Sequence, residues 1–132
     1  MKTLKKKYLI QASFDCVFDA LTNEQVIERW SGSKASMDIT DGGAFSLWEG
    51  AIVGFNKAVS RDRVIQAWKQ SQWQDYSTVT ISLQDFGQLT QVNLEQHGIP
   101  GEFYQAINIG WDDYYFKPLI ELVENYPDEC PF

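Results

Sequence analysis

A chain of 132 residues with 44% hydrophobic and 14% aromatic content is long enough to bury one core, and too apolar to be disordered. Its formal net charge of −7 repels phosphate backbones, which argues against nucleic acid as a partner. Five tryptophans in so short a chain mean bulky packing or a cavity lined by rings.

Thr3 to Ile10 reads as a first strand, with Leu4, Tyr8 and Ile10 on one face and Lys5 and Lys7 on the other. Lys6 is the exception to that alternation. Ser13 is placed to cap a short helix carrying Phe14, Val17, Phe18 and Leu21 at helical spacing. Thr22 and Gln25 have capping-box spacing for a second helix, Asn23 to about Trp30, which Gly32 is placed to end.

From Lys34 to Gln96 the period changes to that of strands. Ala44 to Trp48 alternates after the Gly42-Gly43 pair, and Glu49-Gly50 turns the chain into a strand from Ala51 to Val59. Arg63 to Lys69 is another strand. Val79, Ile81 and Leu83 alternate with Thr78, Thr80 and Ser82, as in a sheet with one wet face. Asp85-Phe86-Gly87 makes a hairpin loop into a return strand from Gln88 to about Gln96.

The chain then turns helical from Gly101 to Tyr126. Tyr104, Ile107, Trp111, Tyr114, Tyr115, Pro118, Leu119 and Leu122 recur at three- and four-residue intervals, giving a helix about 35 Å long with one apolar face. Pro118 should kink or divide it. Gly110 costs about 1 kcal/mol against alanine in mid-helix, so a close approach to another backbone is expected there.

This order predicts an α+β fold: a curved antiparallel sheet of six or seven strands gripping a long C-terminal helix, with two short helices after strand 1. Residues 1–126 are expected to form that single domain and 127–132 a tail. The rings facing the space under the helix predict a small or largely filled cavity. Cys16 falls on a helix and Cys130 in a Pro-bounded tail, so reduced thiols in a cytosolic compartment are expected. No apolar run approaches the ~20 residues of a membrane span, and the N-terminus lacks the apolar core of a signal peptide. A cytoplasmic protein with no membrane partner is expected.

The order TNEQVIERW, the Gly-Gly turn, RVIQAW, TVTISL, GQLTQVNLEQHGIP and GW resembles the family of activators of heat-shock protein 90 ATPase. That family lies within the START-like, helix-grip superfamily. Trp68 through Trp73, Thr78-Val79-Thr80, Gly98-Ile99-Pro100 and Gly110-Trp111 into Tyr114-Tyr115-Phe116 are similar to the C-terminal domain of its co-chaperones. The resemblance implies a non-catalytic protein, without cofactor, that binds heat-shock protein 90, stimulates its ATPase activity, and serves protein folding and the stress response. In that family the C-terminal domain engages the chaperone's ATP-binding domains and favours their dimerisation.

On the residues themselves, Trp73 and Phe86 are the loop aromatics expected to meet a partner. The alternative is a small hydrophobic ligand carried between sheet and helix, against Trp30, Trp48, Trp68, Tyr104 and Trp111. An enzyme is not expected. His97 is a lone histidine beside Gly98, and Asp38 and Asp41 fit turn chemistry better than a catalytic pair. No phosphate-cradling loop or serine elbow is present, and the inward positions read as mainly apolar.

Overall fold

Strand β1 (Lys2–Ile10) leads into two short helices, α1 (Phe14–Thr22) and α2 (Glu24–Ser31). Six strands follow: β2 (Ser36–Met37), β3 (Ala44–Leu47), β4 (Ile52–Ser60), β5 (Arg63–Gln70), β6 (Ser77–Asp85) and β7 (Thr90–Ile99). The computed structural model describes residues 1–126 and Cys130, so the tail expected over 127–132 lies outside the described residues apart from that cysteine. The seven strands form one antiparallel sheet in the order β1-β7-β6-β5-β4-β3-β2. Each of β2 to β7 pairs with its neighbour in sequence, and β1 closes onto β7. A two-residue β2 is too short to alternate, which is why no pattern announces it.

Local chemistry sets the ends of the small helices. Ser13 Oγ accepts from Cys16 N at 3.3 Å, as a capping serine should. The second cap is Asn23 rather than Thr22: Asn23 Oδ1 accepts from Gln25 N at 3.0 Å, while the Thr22 hydroxyl bonds back to Phe18 O at 2.7 Å. Gly32 ends α2 with φ 73°. The β6–β7 turn has Phe86 N donating to Leu89 O at 2.8 Å and Gly87 at φ 86°.

One face of the sheet is buried and the other faces water. Val79, Ile81, Leu83, Val92 and Leu94 point into the core, whereas Thr78, Thr80 and Ser82 remain partly exposed. The inward face is mainly apolar, as expected, with a few polar groups set into it. Asn56, Gln66, Ser77, Thr90 and Gln96 are buried there, and every one is hydrogen-bonded. They are amides and hydroxyls, so their burial carries no charge.

The last segment is helical from Gly101 to Glu124 but changes its winding. After a 3₁₀ turn (Gly101–Phe103) come α3 (Tyr104–Gly110), a π-helical stretch (Trp111–Phe116) and α4 (Lys117–Glu124). Pro118 has no N–H to give to the carbonyl four residues back, and its ring crowds that carbonyl. The helix answers by widening just before the proline, so the chain neither breaks nor stops. The wider winding turns Trp111, Tyr115 and Phe116 inward and leaves Tyr114 largely in solvent.

A polar tie holds this helix to β1. Lys6 Nζ and Tyr8 Oη donate to the two oxygens of Asp112, each at 2.7 Å. Lys6 breaks the strand's alternation because its ammonium serves that carboxylate, and Tyr8 stacks on Phe116 at 4.1 Å. Burial alone would raise the Asp112 pKa. The hydrogen bonds from Lys6 and Tyr8, with the Lys6 charge, outweigh it and hold the group below its ordinary value.

The cysteines are not free thiols as expected. Cys16 and Cys130 are joined, with Cα atoms 5.5 Å apart, within the span of a disulfide. The packing of α1 against α4 explains this, because it brings Cys16 beside the chain leaving α4.

The backbone approach expected at Gly110 is at Gly54 instead. A Cβ there would strike the Ala67 carbonyl and the Phe45 ring, whereas one on Gly110 would meet only the Tyr114 ring at 3.9 Å. Gly110→Ala is therefore expected to stabilise by about 0.5–1 kcal/mol, read as a higher denaturant midpoint at unchanged slope. Asp112→Asn is expected to destabilise at neutral pH. A depressed folded pKa means stability present above the unfolded value near 3.9 and lost as pH falls through the folded one. Acid denaturation curves should thus show the gap between Asp112→Asn and the parent closing below about pH 4.

Candidate functional site

All five tryptophans belong to one continuous cluster of rings under the C-terminal helix. Trp30 meets Trp48 at 6.1 Å and Tyr115 at 4.7 Å, and Tyr115 meets Trp111 at 4.7 Å. Trp111 stacks on Trp68 at 5.4 Å, Trp68 meets Trp73 edge-on at 5.8 Å, and Trp73 reaches Phe103 at 5.7 Å. Such offset and edge contacts each add about 0.5–1.5 kcal/mol beyond the area they bury.

A buried hydrogen-bond chain fixes the centre of the cluster. Trp111 Nε1 donates to Gln96 Oε1 at 2.8 Å, Gln96 Nε2 donates to Ser77 Oγ at 3.0 Å, and the Ser77 hydroxyl donates to Trp68 O at 2.6 Å. At the rim, Trp30 Nε1 donates to Ala20 O at 2.8 Å. Among the described residues, Trp68 Nε1 and Trp73 Nε1 are buried and find no acceptor.

Beside this cluster a cleft of about 400 Å³ opens between the helix and the sheet's β4–β5 end. Trp48, Ile52, Trp68 and Gln70 form its sheet wall; Ile107, Gly110, Trp111, Tyr114 and Tyr115 form its helix wall. The space is thus larger than a filled core would leave. Trp48 reaches it through a positive φ of 50°, a conformation that L-residues adopt at a cost and that the neighbouring Glu49 shares at 54°. Burial pushes the Tyr115 phenol well above its ordinary pKa, so it stays a neutral hydroxyl.

Of the residues expected to line a cavity, Trp48, Trp68 and Trp111 border the cleft together. Trp30 sits behind them in the core, and Tyr104 is half-buried on α3. Of the two loop aromatics, Phe86 is 54% exposed at the β6–β7 turn, but Trp73 is only 5% exposed. The expectation of an exposed Trp73 is corrected: its loop folds inward and seats the ring between Trp68 and Phe103. Tyr115, Ile52, Gln70 and Gly110 were not expected at the cleft. A helical period of 3.6 cannot resolve which of Tyr114 and Tyr115 points inward, because the π-helical winding decides it.

The remaining polar candidates are local structure. His97 is exposed between Thr3 (3.2 Å) and Glu95 (2.8 Å). Asp38 Oδ1 accepts the Thr40 hydroxyl (2.7 Å) and N–H (3.1 Å), which hold its carboxyl below the ordinary range, and Asp41 Oδ1 accepts from Val59 N at 3.1 Å. Among the described residues no three His, Cys, Asp or Glu side chains converge as metal ligands. No helix among the described residues is long and apolar enough to cross a membrane.

Residues 11–124 match the family model described as Activator of Hsp90 ATPase homolog 1-like protein. An activator of 90 kDa heat shock protein ATPase homolog from Dictyostelium discoideum is 33% identical over 83% of this chain and 30% of its own length. Homolog 1 from Homo sapiens is 25% identical over 89% of this chain and 35% of its own. The chain thus spans about a third of the length of these curated relatives. An HSP90 activator structure from Plasmodium falciparum superposes with a TM-score of 0.88 at 27% identity, covering 96% of this chain and 99% of that one.

Trp111→Ala is expected to cost about 3–5 kcal/mol, since it removes the ring on which the cluster is centred. Trp111→Phe keeps most of the packing but leaves Gln96 Oε1 unpaired, and should cost about 1–3 kcal/mol. Urea titrations of the two variants check both the size and the ordering.

Proposed function

The chain belongs to the Activator of Hsp90 ATPase homolog 1-like family, and from that premise we propose that it is a non-catalytic co-chaperone that binds heat-shock protein 90 and stimulates its ATPase. The observation that carries this reading is the end-to-end match to the Plasmodium falciparum activator, 96% of one chain against 99% of the other. The buried polar groups named above support a non-catalytic role, since they are amides and hydroxyls with no carboxylate, imidazole or amine among them.

The action is differential binding. A protein that contacts the closed, dimerised chaperone better than the open one shifts the equilibrium by the difference in affinity, and a few kcal/mol give a large change in rate. Phe86 is the loop aromatic we assign to such a contact, exposed at a turn held by the Asp85 and Leu89 hydrogen bonds. Trp73 serves from beneath, by fixing its loop.

Adding the purified chain to heat-shock protein 90 from the same cell should raise ATP turnover in a saturable way. Phe86→Ala should weaken binding by about 5- to 30-fold, the range for an interface anchor worth 1–2 kcal/mol. Absence of both binding and rate change with the parent protein would overturn the proposal.

A further inference from the structure

We propose that the water-facing side of the sheet, from β1 to β5, docks a short, extended, acidic segment of a partner protein that carries two carboxylates four residues apart. Such docking goes beyond the chaperone role and does not depend on it.

Cations are segregated on this side of the domain. Strand register puts Lys5, Lys7, Arg63 and Lys69 on the face away from the core, and Lys57 joins them by reaching the water-facing Thr78 at 3.5 Å. Glu95 is the one carboxylate that the paired strand residues place among them. In a chain with 18 acidic residues against 11 basic ones, a cation has carboxylates to spare. Yet among the described residues Lys7, Lys57, Arg63 and Lys69 have none within ion-pair distance. Glu95 itself is held by His97 at 2.8 Å and only loosely by Lys5 at 3.7 Å, so Lys5 is free to turn to another carboxylate.

One row across the strands sets the length of the ligand. Lys7 lies opposite Asn93, Asn93 opposite Ser82, and Ser82 opposite Arg63. Three strand spacings of about 4.8 Å put roughly 14 Å between the backbones of the two cations. An extended segment advances about 3.3 Å per residue, so its residues i and i+4 span about 13 Å and project to the same side. Carboxylates at those two places meet Lys7 and Arg63, and the backbone between them lies over Asn93 and Ser82. Asn93 Oδ1 accepts from Gln91 Nε2 at 3.3 Å, which leaves its Nδ2 to donate to that backbone. At the β1 end of the row, Lys5, Lys7, Thr80, Ser82 and Asn93 border a depression of about 340 Å³.

The same face fits nucleic acid poorly. Its exposed ring, Tyr76, is already met by Phe55 edge-on at 5.4 Å and by Lys69 Nζ at 5.2 Å, which leaves bases little to stack on. Charges more than about 10 Å apart are largely screened at 0.1 M ionic strength. A short acidic segment therefore feels the cations beneath it more than the carboxylates of the C-terminal helix, whereas a long polyanion would run past the patch.

The probe is the peptide acetyl-Gly-Glu-Gly-Ser-Gly-Glu-Gly-amide, titrated into the isolated, isotope-labelled chain and followed by amide NMR shifts. Saturable shifts are expected along β1, β7, β6 and β5, weakened by added salt. Lys7→Glu and Arg63→Glu should each weaken binding about tenfold. Lys117→Glu, the same change of net charge on α4, should leave it within about twofold. All three positions are exposed, and circular dichroism checks the fold of each variant. No saturable shift, or equal weakening by Lys117→Glu, overturns the surface. Equal binding of a peptide with its two glutamates adjacent overturns the four-residue spacing, and tighter binding of oligothymidylate overturns the acidic-peptide class. Sedimentation should show a monomer; self-association that Lys7→Glu abolishes would give the face to a second copy and overturn the proposal.

Discussion

The fold depends on how one indole is held. Trp111 lies at the point where the C-terminal helix crosses the sheet, stacked on Trp68, and its N–H is given to the fully buried Gln96 of β7. A buried glutamine is expensive unless each of its polar atoms is engaged. Here the amide oxygen takes the indole and the amide nitrogen goes to Ser77, which in turn bonds the carbonyl of Trp68. Helix, β7, β6 and β5 are thereby joined by three bonds that fit only one register. Hydrophobic area alone would tolerate a helix sliding by a residue; this chain does not.

The winding of the helix follows from the same constraint. An ideal α-helix with proline at position 118 would have to bend at the carbonyl it crowds. The π-helical stretch from Trp111 to Phe116 takes up that misfit locally and so keeps α3 and α4 on the same face of the sheet. It also presents Trp111, Tyr115 and Phe116 together, more ring surface than a 3.6-residue period allows in six positions. The opening beside Gly110 is the counterpart: with no side chain there, the helix wall recedes where the rings bulge.

Much of this was legible in the residues. Alternation in Val79, Ile81 and Leu83 and the long aromatic stripe gave the sheet and the helix, because both are driven by burial on one face. The ordered motifs gave the family. What stayed hidden was set by pairing across distant sequence. Lys6 breaks the strand pattern for a carboxylate 106 residues away. Gln96 reads as an ordinary polar strand residue until Trp111 is placed over it. Trp73, in a loop rich in polar residues, looks exposed but finds its neighbours in Trp68 and Phe103. Cys16 and Cys130 are 114 positions apart and meet only because α1 packs against α4. Of the cavity residues, Trp48, Trp68 and Trp111 were recognisable as inward rings, whereas Tyr115 depended on a change of helical winding that no periodicity encodes.

These features bear on how a small domain could regulate a much larger machine. A regulator that acts by binding one conformation of its partner better than another can deliver only the difference between two contact energies. Any part of that energy spent on ordering its own side chains is subtracted from the effect. The bonded indole, the ring cluster and the tie from Lys6 and Tyr8 to Asp112 order the interior in advance. The turn carrying Phe86 is likewise held by its own hydrogen bonds. In the proposed role, what the domain presents outward is therefore already shaped, and the free energy of contact would be available to shift the partner's equilibrium.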